Sequence, residues 1–474
     1  MIGSINTDKY QKWTIILSII QLIFIAIALI IEQPTAMLIP AIIAFGVLIM
    51  MKVRWIYFLF ALVIPFSIEV ELPGGLGTDL PSEPVMWILT GVGLLYLVSR
   101  PLVVTDVRWK HPVSLLIIAH IMWIGLTAYL SQDVVISTKF FLAKVWYVIP
   151  FYFLFLLIHD NQGRLQGFFK VLITAMVVSI LIVIVRHAGY GFSFKSINEA
   201  VHPIFRNHVN YACMLVALIP YVWANLRISK SMVWAAGLFL FLLAIYLSYT
   251  RAAMVALVIG VGAYMIIRWR LARPAIIITV LSVVLVIPYL LNDNKYLDYA
   301  PEYERAIAHY KFDNLIEATY KFEDISTMER LYRWVAGKEM IAERPFFGFG
   351  PGTFYSYYQD YSVAEFQTYV SNNPERSGIH NYYLMTFVEQ GFLGFLIFAL
   401  FIIAGIIYGE KAYHQAVDNH RKYFNMAATV SLIMISAILL INDLVEADKV
   451  GPFLFIAMAI IVGNHIKISF PSNH

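Results

Sequence analysis

Long apolar runs recur from one end of the chain to the other, parted by short polar segments. About fourteen candidate spans fall near residues 13–31, 36–51, 55–71, 85–99, 112–130, 141–158, 168–187, 207–226, 231–249, 252–268, 274–291, 381–408, 423–441 and 450–466. Runs of this length suit helices crossing roughly 30 Å of hydrocarbon. The pattern predicts an all-α integral membrane protein, a polytopic bundle of about 12–14 transmembrane helices. The first run follows Lys9 and Lys12 without a small-residue cleavage site, so it is expected to stay as an anchor. One long interruption, residues 292–380, divides an N-terminal bundle (1–291) from C-terminal transmembrane helices (381–474). This loop is expected to be mostly helical. Ile325, Met328, Leu331, Trp334, Val335 and Ile341 share one helical face, and Pro345 stops the helix. A second polar segment covers 188–206.

Charge supplies the orientation. Of 34 Lys and Arg, 18 lie on the cytoplasmic side if the N-terminus is placed there, 9 lie in the long loop and 7 lie in the remaining outer segments and helix ends. The contrast of 18 to 7 places both termini in the cytoplasm and the long loop outside. Composition agrees with a membrane protein, since only 14% of residues are charged against about 25% in soluble domains. The net charge of +4 gives no reason to expect a nucleic-acid partner. The single cysteine, Cys213, excludes an internal disulfide framework and a thiolate zinc site.

Few polar side chains could carry chemistry. Arg251 stands in Ser248-Tyr249-Thr250-Arg251-Ala252-Ala253, between two spans with almost no loop. It is either an arginine snorkelling to headgroups or an anion ligand at the outer end of a helix hairpin. Arg330 and Arg333 open the loop helix beside Glu329, where they form either an ordinary solvated face or a binding face. Pro345-Phe346-Phe347-Gly348-Phe349-Gly350-Pro351-Gly352 is a glycine-rich turn without the context of a phosphate loop. Its aromatic neighbours suit a membrane interface or sugar stacking. His380 precedes Asn381-Tyr382-Tyr383-Leu384 where the chain re-enters the membrane, with Glu389-Gln390-Gly391 following. It is either a capping or interface residue or a base; an unperturbed pKa of about 6.5 would put the acid limb of activity near pH 6–7. Nearby arginines would lower that limb and a nearby carboxylate would raise it. Arg206, His208 and Asn210 mark another outer helix start, and Lys144 lies inside a span. No His/Asp/Glu cluster has metal-ligand spacing.

Together these pieces resemble the O-antigen ligase and O-antigen polymerase superfamily of bacterial membrane glycosyltransferases. Four features over roughly residues 200–410 carry the resemblance: Thr250-Arg251-Ala252-Ala253 between two spans; Arg330 four before Trp334, followed by Pro345 to Gly352; His380-Asn381-x-x-Leu384 at the end of one large external loop; and Glu389 to Gly394 just after it. Thr250 stands where many members have Ser, and both keep a hydroxyl. The resemblance implies an inner-membrane enzyme in which Arg251 and Arg330 hold the pyrophosphate of a polyprenyl-linked glycan and His380 activates an acceptor hydroxyl. Arg330 is preferred to Arg333 for its place in the motif. Arg333, Arg206, His208 and Glu389 are secondary candidates.

The chemistry is self-consistent. A polyprenyl pyrophosphate leaves without a proton, provided fixed cations meet its growing charge. The acceptor hydroxyl needs one base. Two arginines and one histidine therefore suffice with no cofactor, metal or nucleotide, and attack opposite the leaving group inverts the anomeric centre. A ligase would move the glycan onto lipid A–core or an equivalent acceptor, the preferred expectation for lipopolysaccharide biosynthesis. A polymerase would join polyprenyl-linked repeat units. A transporter of lipid-linked sugars would instead line a path with charges, whereas these concentrate at outer helix ends and in the loop.

Overall fold

A computed structural model of the protein describes residues 53–72, 76–99, 106–159, 161–292, 295, 325–362 and 378–469. The spans expected over 13–31 and 36–51 lie outside these residues. Of the other twelve, eleven each correspond to a helix and 55–71 does so only in its first half. In chain order these are α1 (Arg54–Val63), α2 (Ser82–Ser99), α3 (Pro112–Tyr129), α4 (Val134–Val148, continued helically to Ile158), α5 (Gln162–Gly189), α6 (His208–Ser229), α7 (Met232–Leu247), α8 (Arg251–Arg268) and α9 (Ala272–Leu291). The loop helix α10 (Ile325–Glu343) follows, then α11 (Tyr382–Gln415), α12 (Asn419–Ile438) and α13 (Gly451–Ser469). Eight helices among the described residues are long and apolar enough to cross a membrane. The protein is an all-α, multi-pass membrane protein.

Helices α6, α12 and α13 form the centre. Residues 211–222, 424–432 and 450–462 are each buried without a break, so these helices present no side to lipid. This accounts for the polar content of α12. Asn425 donates to the Gly409 carbonyl at 2.6 Å, and Ser431 donates to the Ala217 carbonyl at 2.8 Å. Polar groups are tolerated at this depth because protein partners replace water. Helix α8 packs on α12 with Gly260 against Met434, where a Cβ would lie 2.6 Å from the sulfur. By contrast, the spanning window of α9 buries none of its residues.

The span expected over 55–71 is corrected by the structure. Helix α1 passes into a single tight turn, Ile64–Phe66, and then gives way to strands β1 (Ile68–Leu72) and β2 (Leu76–Leu80). They pair antiparallel, with Ile68 opposite Leu80 and Val70 opposite Thr78. Ile68-Glu69-Val70-Glu71-Leu72 alternates with period two, a strand pattern that a hydropathy window absorbs into the preceding helix.

The loop docks onto the bundle through a break in α11. Gly391 has φ 71° and ψ −177° inside that helix, which frees carbonyls that would otherwise bond along it. Backbone amides of the glycine-rich turn take them: Phe349 N–H donates to Val388 O at 3.0 Å and Gly350 N–H to Glu389 O at 2.9 Å. In return, Phe392 N–H donates to Pro345 O at 2.8 Å. The backbones approach so closely that a Cβ on Gly391 would sit 2.0 Å from the Phe346 carbonyl oxygen. The Glu389 carboxylate completes the joint, accepting from Gly352 N–H at 2.8 Å and Phe354 N–H at 3.1 Å.

Replacing Gly391 with Ala should therefore undock the turn. A positive φ and a backbone clash together cost about 2 kcal/mol or more. Thermal unfolding of the detergent-purified protein should shift down by several degrees, whereas Gly262→Ala, with open space around it, should leave the midpoint in place. Equal midpoints for the two variants would contradict the close approach.

Candidate active site

Helix α10 presents one buried face to the bundle, and that face is partly charged. Glu329 and Arg333 are buried along with Tyr332, Ala336 and Met340. The expected solvated ion pair exists, but it is enclosed: Arg333 lies 3.5 Å from Glu329, with both side chains under a tenth exposed. Arg333 also donates to the Gly378 carbonyl at 2.8 Å, and Trp334 donates its indole N–H to the Ile379 carbonyl at 3.1 Å. Arg330, half-buried, donates Nε–H to the Ile441 carbonyl at 3.3 Å. The helix thus clamps the two residues before His380.

His380 does not cap α11. Asn381 does, accepting from Leu384 N–H at 3.0 Å. The capping alternative for His380 falls away, and its backbone is left in the left-handed region at φ 56°, which is uncommon outside glycine and often retained at functional positions. Its Nδ1 is buried without a hydrogen-bond partner among the described residues. The nearest acid is Asp443, whose Oδ1 is 3.9 Å from that nitrogen. Burial first, then Arg333 and Arg330, push the imidazole down to about 3. The competition foreseen between arginines and a carboxylate is won by burial and the arginines. Asp443 itself is pushed up, chiefly by burial and then by Glu446.

The segment facing His380 is the connection between α12 and α13, which sequence reasoning did not single out. Asn442-Asp443-Leu444-Val445-Glu446-Ala447-Asp448-Lys449 is a short charged stretch between two apolar runs, and that density was the available signal. It is anchored from inside the bundle. Lys144, buried within α4, meets Glu446 at 2.6 Å and Tyr382 Oη at 3.2 Å. Lys144, inside a span, thus has a carboxylate partner, which offsets the cost of a charge at membrane depth.

Arg330, Arg333 and His380 are therefore brought together by residues 378–380 and 441–443. Arg251 and His208 form a second neighbourhood at the same end of the bundle. Arg251 opens α8, and Thr250 before it donates to the His208 carbonyl at 3.3 Å. His208 meets the Asn198 side chain at 2.7 Å through Nδ1. Arg206 lies apart, beside Glu69 at 4.0 Å. Glu389 is bound to the turn's amides, as described above, and holds backbone in place.

Residues 236–399 match the family model described as O-antigen ligase. The match places this stretch in the O-antigen ligase superfamily. It includes Arg251, Arg330, Arg333, His380 and Glu389, and it stops short of Asp443. No curated protein matches the chain. O-antigen ligase and polymerase-type chemistry, that of a membrane glycosyltransferase, is the activity indicated by the family.

The two loop arginines should separate in their effect on stability. Removing Arg333 breaks the enclosed ion pair with Glu329 and the bond to the Gly378 carbonyl, which costs about 3–5 kcal/mol; Arg333→Ala should unfold early on heating. The double variant Glu329→Gln/Arg333→Met should recover much of that loss. Arg330→Ala, at a half-exposed position where water can replace lost contacts, should cost about 1 kcal/mol. A larger loss for Arg330→Ala than for Arg333→Ala would invert this assignment.

Proposed function

We propose that the protein transfers a glycan from a polyprenyl pyrophosphate carrier to an acceptor hydroxyl of the lipid A–core type, at the outer face of the bacterial inner membrane. The observation that carries this is the meeting of Arg330, Arg333 and His380 within a stretch that matches the O-antigen ligase family. Arg330 and Arg251 are the pyrophosphate ligands. Guanidinium groups fit phosphate oxygens in pairs and keep their charge at any working pH. Arg333 is committed to Glu329 and Gly378, so it fixes the loop and adds to the positive field.

His380 is the base, and its low pKa has a function. In the free protein the imidazole stays neutral, so it is ready to accept a proton. An arriving pyrophosphate offsets the arginines' charge, which favours imidazolium and raises the basicity of His380 once donor is bound. The proton leaves the acceptor hydroxyl for the imidazole as the new glycosidic bond forms and the carbon–oxygen bond to the pyrophosphate breaks. Inversion at the anomeric carbon follows from attack opposite the leaving group.

The test is transfer by the purified protein from polyprenyl pyrophosphate-linked glycan to lipid A–core, with the product lipid identified. Arg251→Ala and Arg330→Ala should abolish transfer, and Lys at either position should rescue poorly. His380→Asn should lower kcat by about 10²–10⁴-fold. Protonation of His380 below its pKa should remove activity. The acid limb of kcat/KM for donor, which reports the free protein, should lie well below pH 6, and the limb of kcat should lie above it. Near-normal turnover by His380→Asn, or the opposite order of limbs, would remove the base assignment. If the product is instead a lengthened polyprenyl-linked glycan, the protein is a polymerase.

This orientation puts the loop outside and both termini in the cytoplasm. Cysteines placed at the exposed Ser356 and Asn419 should differ in intact cells, with Ser356→Cys labelled by an impermeant maleimide and Asn419→Cys protected. Cys213 is fully buried and should stay silent. The reverse labelling would turn the protein over.

A further inference from the structure

Beside the His380 neighbourhood lies a cavity of about 480 Å³, within the range of roughly 300–1,000 Å³ common for ligand sites. Its walls are the β1–β2 hairpin, the start of α2, residues 202–210 and the α12–α13 connection. These elements fall outside the stretch that matches the O-antigen ligase family.

The lining is acidic. Glu69, Asp79, Glu83 and Asp448 face the space with Arg206 and Lys449. The Lys449 ammonium donates to the Ser67 and Ile204 carbonyls, lies over the Phe205 ring and partly offsets the charge of Asp79 and Asp448. Arg206 lies 4.0 Å from Glu69. A pyrophosphate would be repelled here. Carboxylates accept hydrogen bonds, so the complementary ligand is a donor-rich molecule.

Asp448 supplies an independent sign of a ligand. It is 6% exposed. One carboxylate oxygen accepts from Tyr147 Oη, while Oδ2 has no hydrogen-bond partner among the described residues. Burial and the neighbouring Glu83 carboxyl push the Asp448 carboxyl well above the usual range. The Glu83 carboxyl is also within hydrogen-bond reach of Asp448, so the two acids form a pair on the cavity wall that a ligand hydroxyl can both donate to and accept from.

Position narrows the class. The cavity reaches Glu446, whose single helical turn, Leu444–Glu446, begins directly after Asp443. Asp443 stands beside His380, while the arginines approach His380 from α10. We propose that this cavity binds the saccharide of the acceptor, whose hydroxyl groups bond to Asp448, Glu83 and Asp79. This rests on the glycosyl-transfer assignment above. In-line displacement needs the acceptor hydroxyl and the leaving pyrophosphate on opposite faces of the anomeric carbon, and separate places for acceptor sugar and donor pyrophosphate meet that need.

The test pairs kinetics with direct binding. Glu83→Gln and Asp448→Asn keep side-chain shape while weakening acceptance. Each should raise KM for the lipid acceptor at least tenfold, with KM for the polyprenyl donor and kcat at saturating acceptor within about twofold. Separately, the oligosaccharide released by mild acid from the same acceptor lipid should give saturation-transfer NMR signals with the wild-type protein, and these should weaken in Glu83→Gln. Circular dichroism and melting of both variants check folding, and Asp79→Asn serves if either fails to fold. Unchanged acceptor KM, a parallel rise in donor KM, or saccharide signals indifferent to Glu83 would each overturn the proposal. If wild-type protein transfers nothing yet binds the oligosaccharide through Glu83, the cavity stands as a saccharide site and the transfer assignment falls.

Discussion

A break in one transmembrane helix organises the rest of this structure. Within a bilayer, backbone carbonyls released from a helix must find other donors. The left-handed turn at Gly391 releases those of Val388 and Glu389, and the amides of Phe349 and Gly350 meet them. The glycine-rich turn is thereby joined to the bundle through backbone. The Glu389 side chain adds two more amide contacts to the same joint. Once the turn is seated, α10 can bring Arg333 and Trp334 onto the carbonyls just before His380.

Two buried ion pairs then hold the charged end in register. Glu329 with Arg333 fixes the loop helix, and Lys144 with Glu446 fixes the α12–α13 connection. Neither is strong grounds for stability, because desolvation cancels much of the attraction. Their value is positional: Arg333 is held by Glu329 and the Gly378 carbonyl, and Lys144 by Glu446 and Tyr382, so each charge ties its segment to a defined place. His380 sits between these segments, held in a left-handed conformation and kept neutral by burial and positive neighbours. The same field that suppresses its protonation in the free protein is the one an anionic donor would neutralise.

The acidic cavity behind Asp443 extends this division of charge. Arginines suited to phosphate stand near His380; carboxylates suited to hydroxyl groups line the cavity reached through Glu446. The dividing element is the short connection from Asp443 to Lys449, in which acidic residues on successive turns face different ways, toward the histidine, toward Lys144 and toward the hairpin.

Much of this was legible in the chain. Apolar length alone yielded the helices, because crossing hydrocarbon demands a run of fixed length whatever its neighbours are. The loop helix ended before Pro345 as its sequence required, and the ordered motifs around Arg251, Arg330 and His380 pointed to the O-antigen ligase superfamily. Tertiary structure decided what pairs with what. That Asn381 and not His380 caps α11, that Arg333 is buried and Arg330 less so, and that Lys144 finds a carboxylate some three hundred residues away are all facts of docking. So is the hairpin, whose period-two pattern was hidden by an adjoining apolar helix. Sequence patterns record the solvent each segment must meet, whether lipid or water; the partner a buried charge meets depends on which surfaces the folded chain brings together.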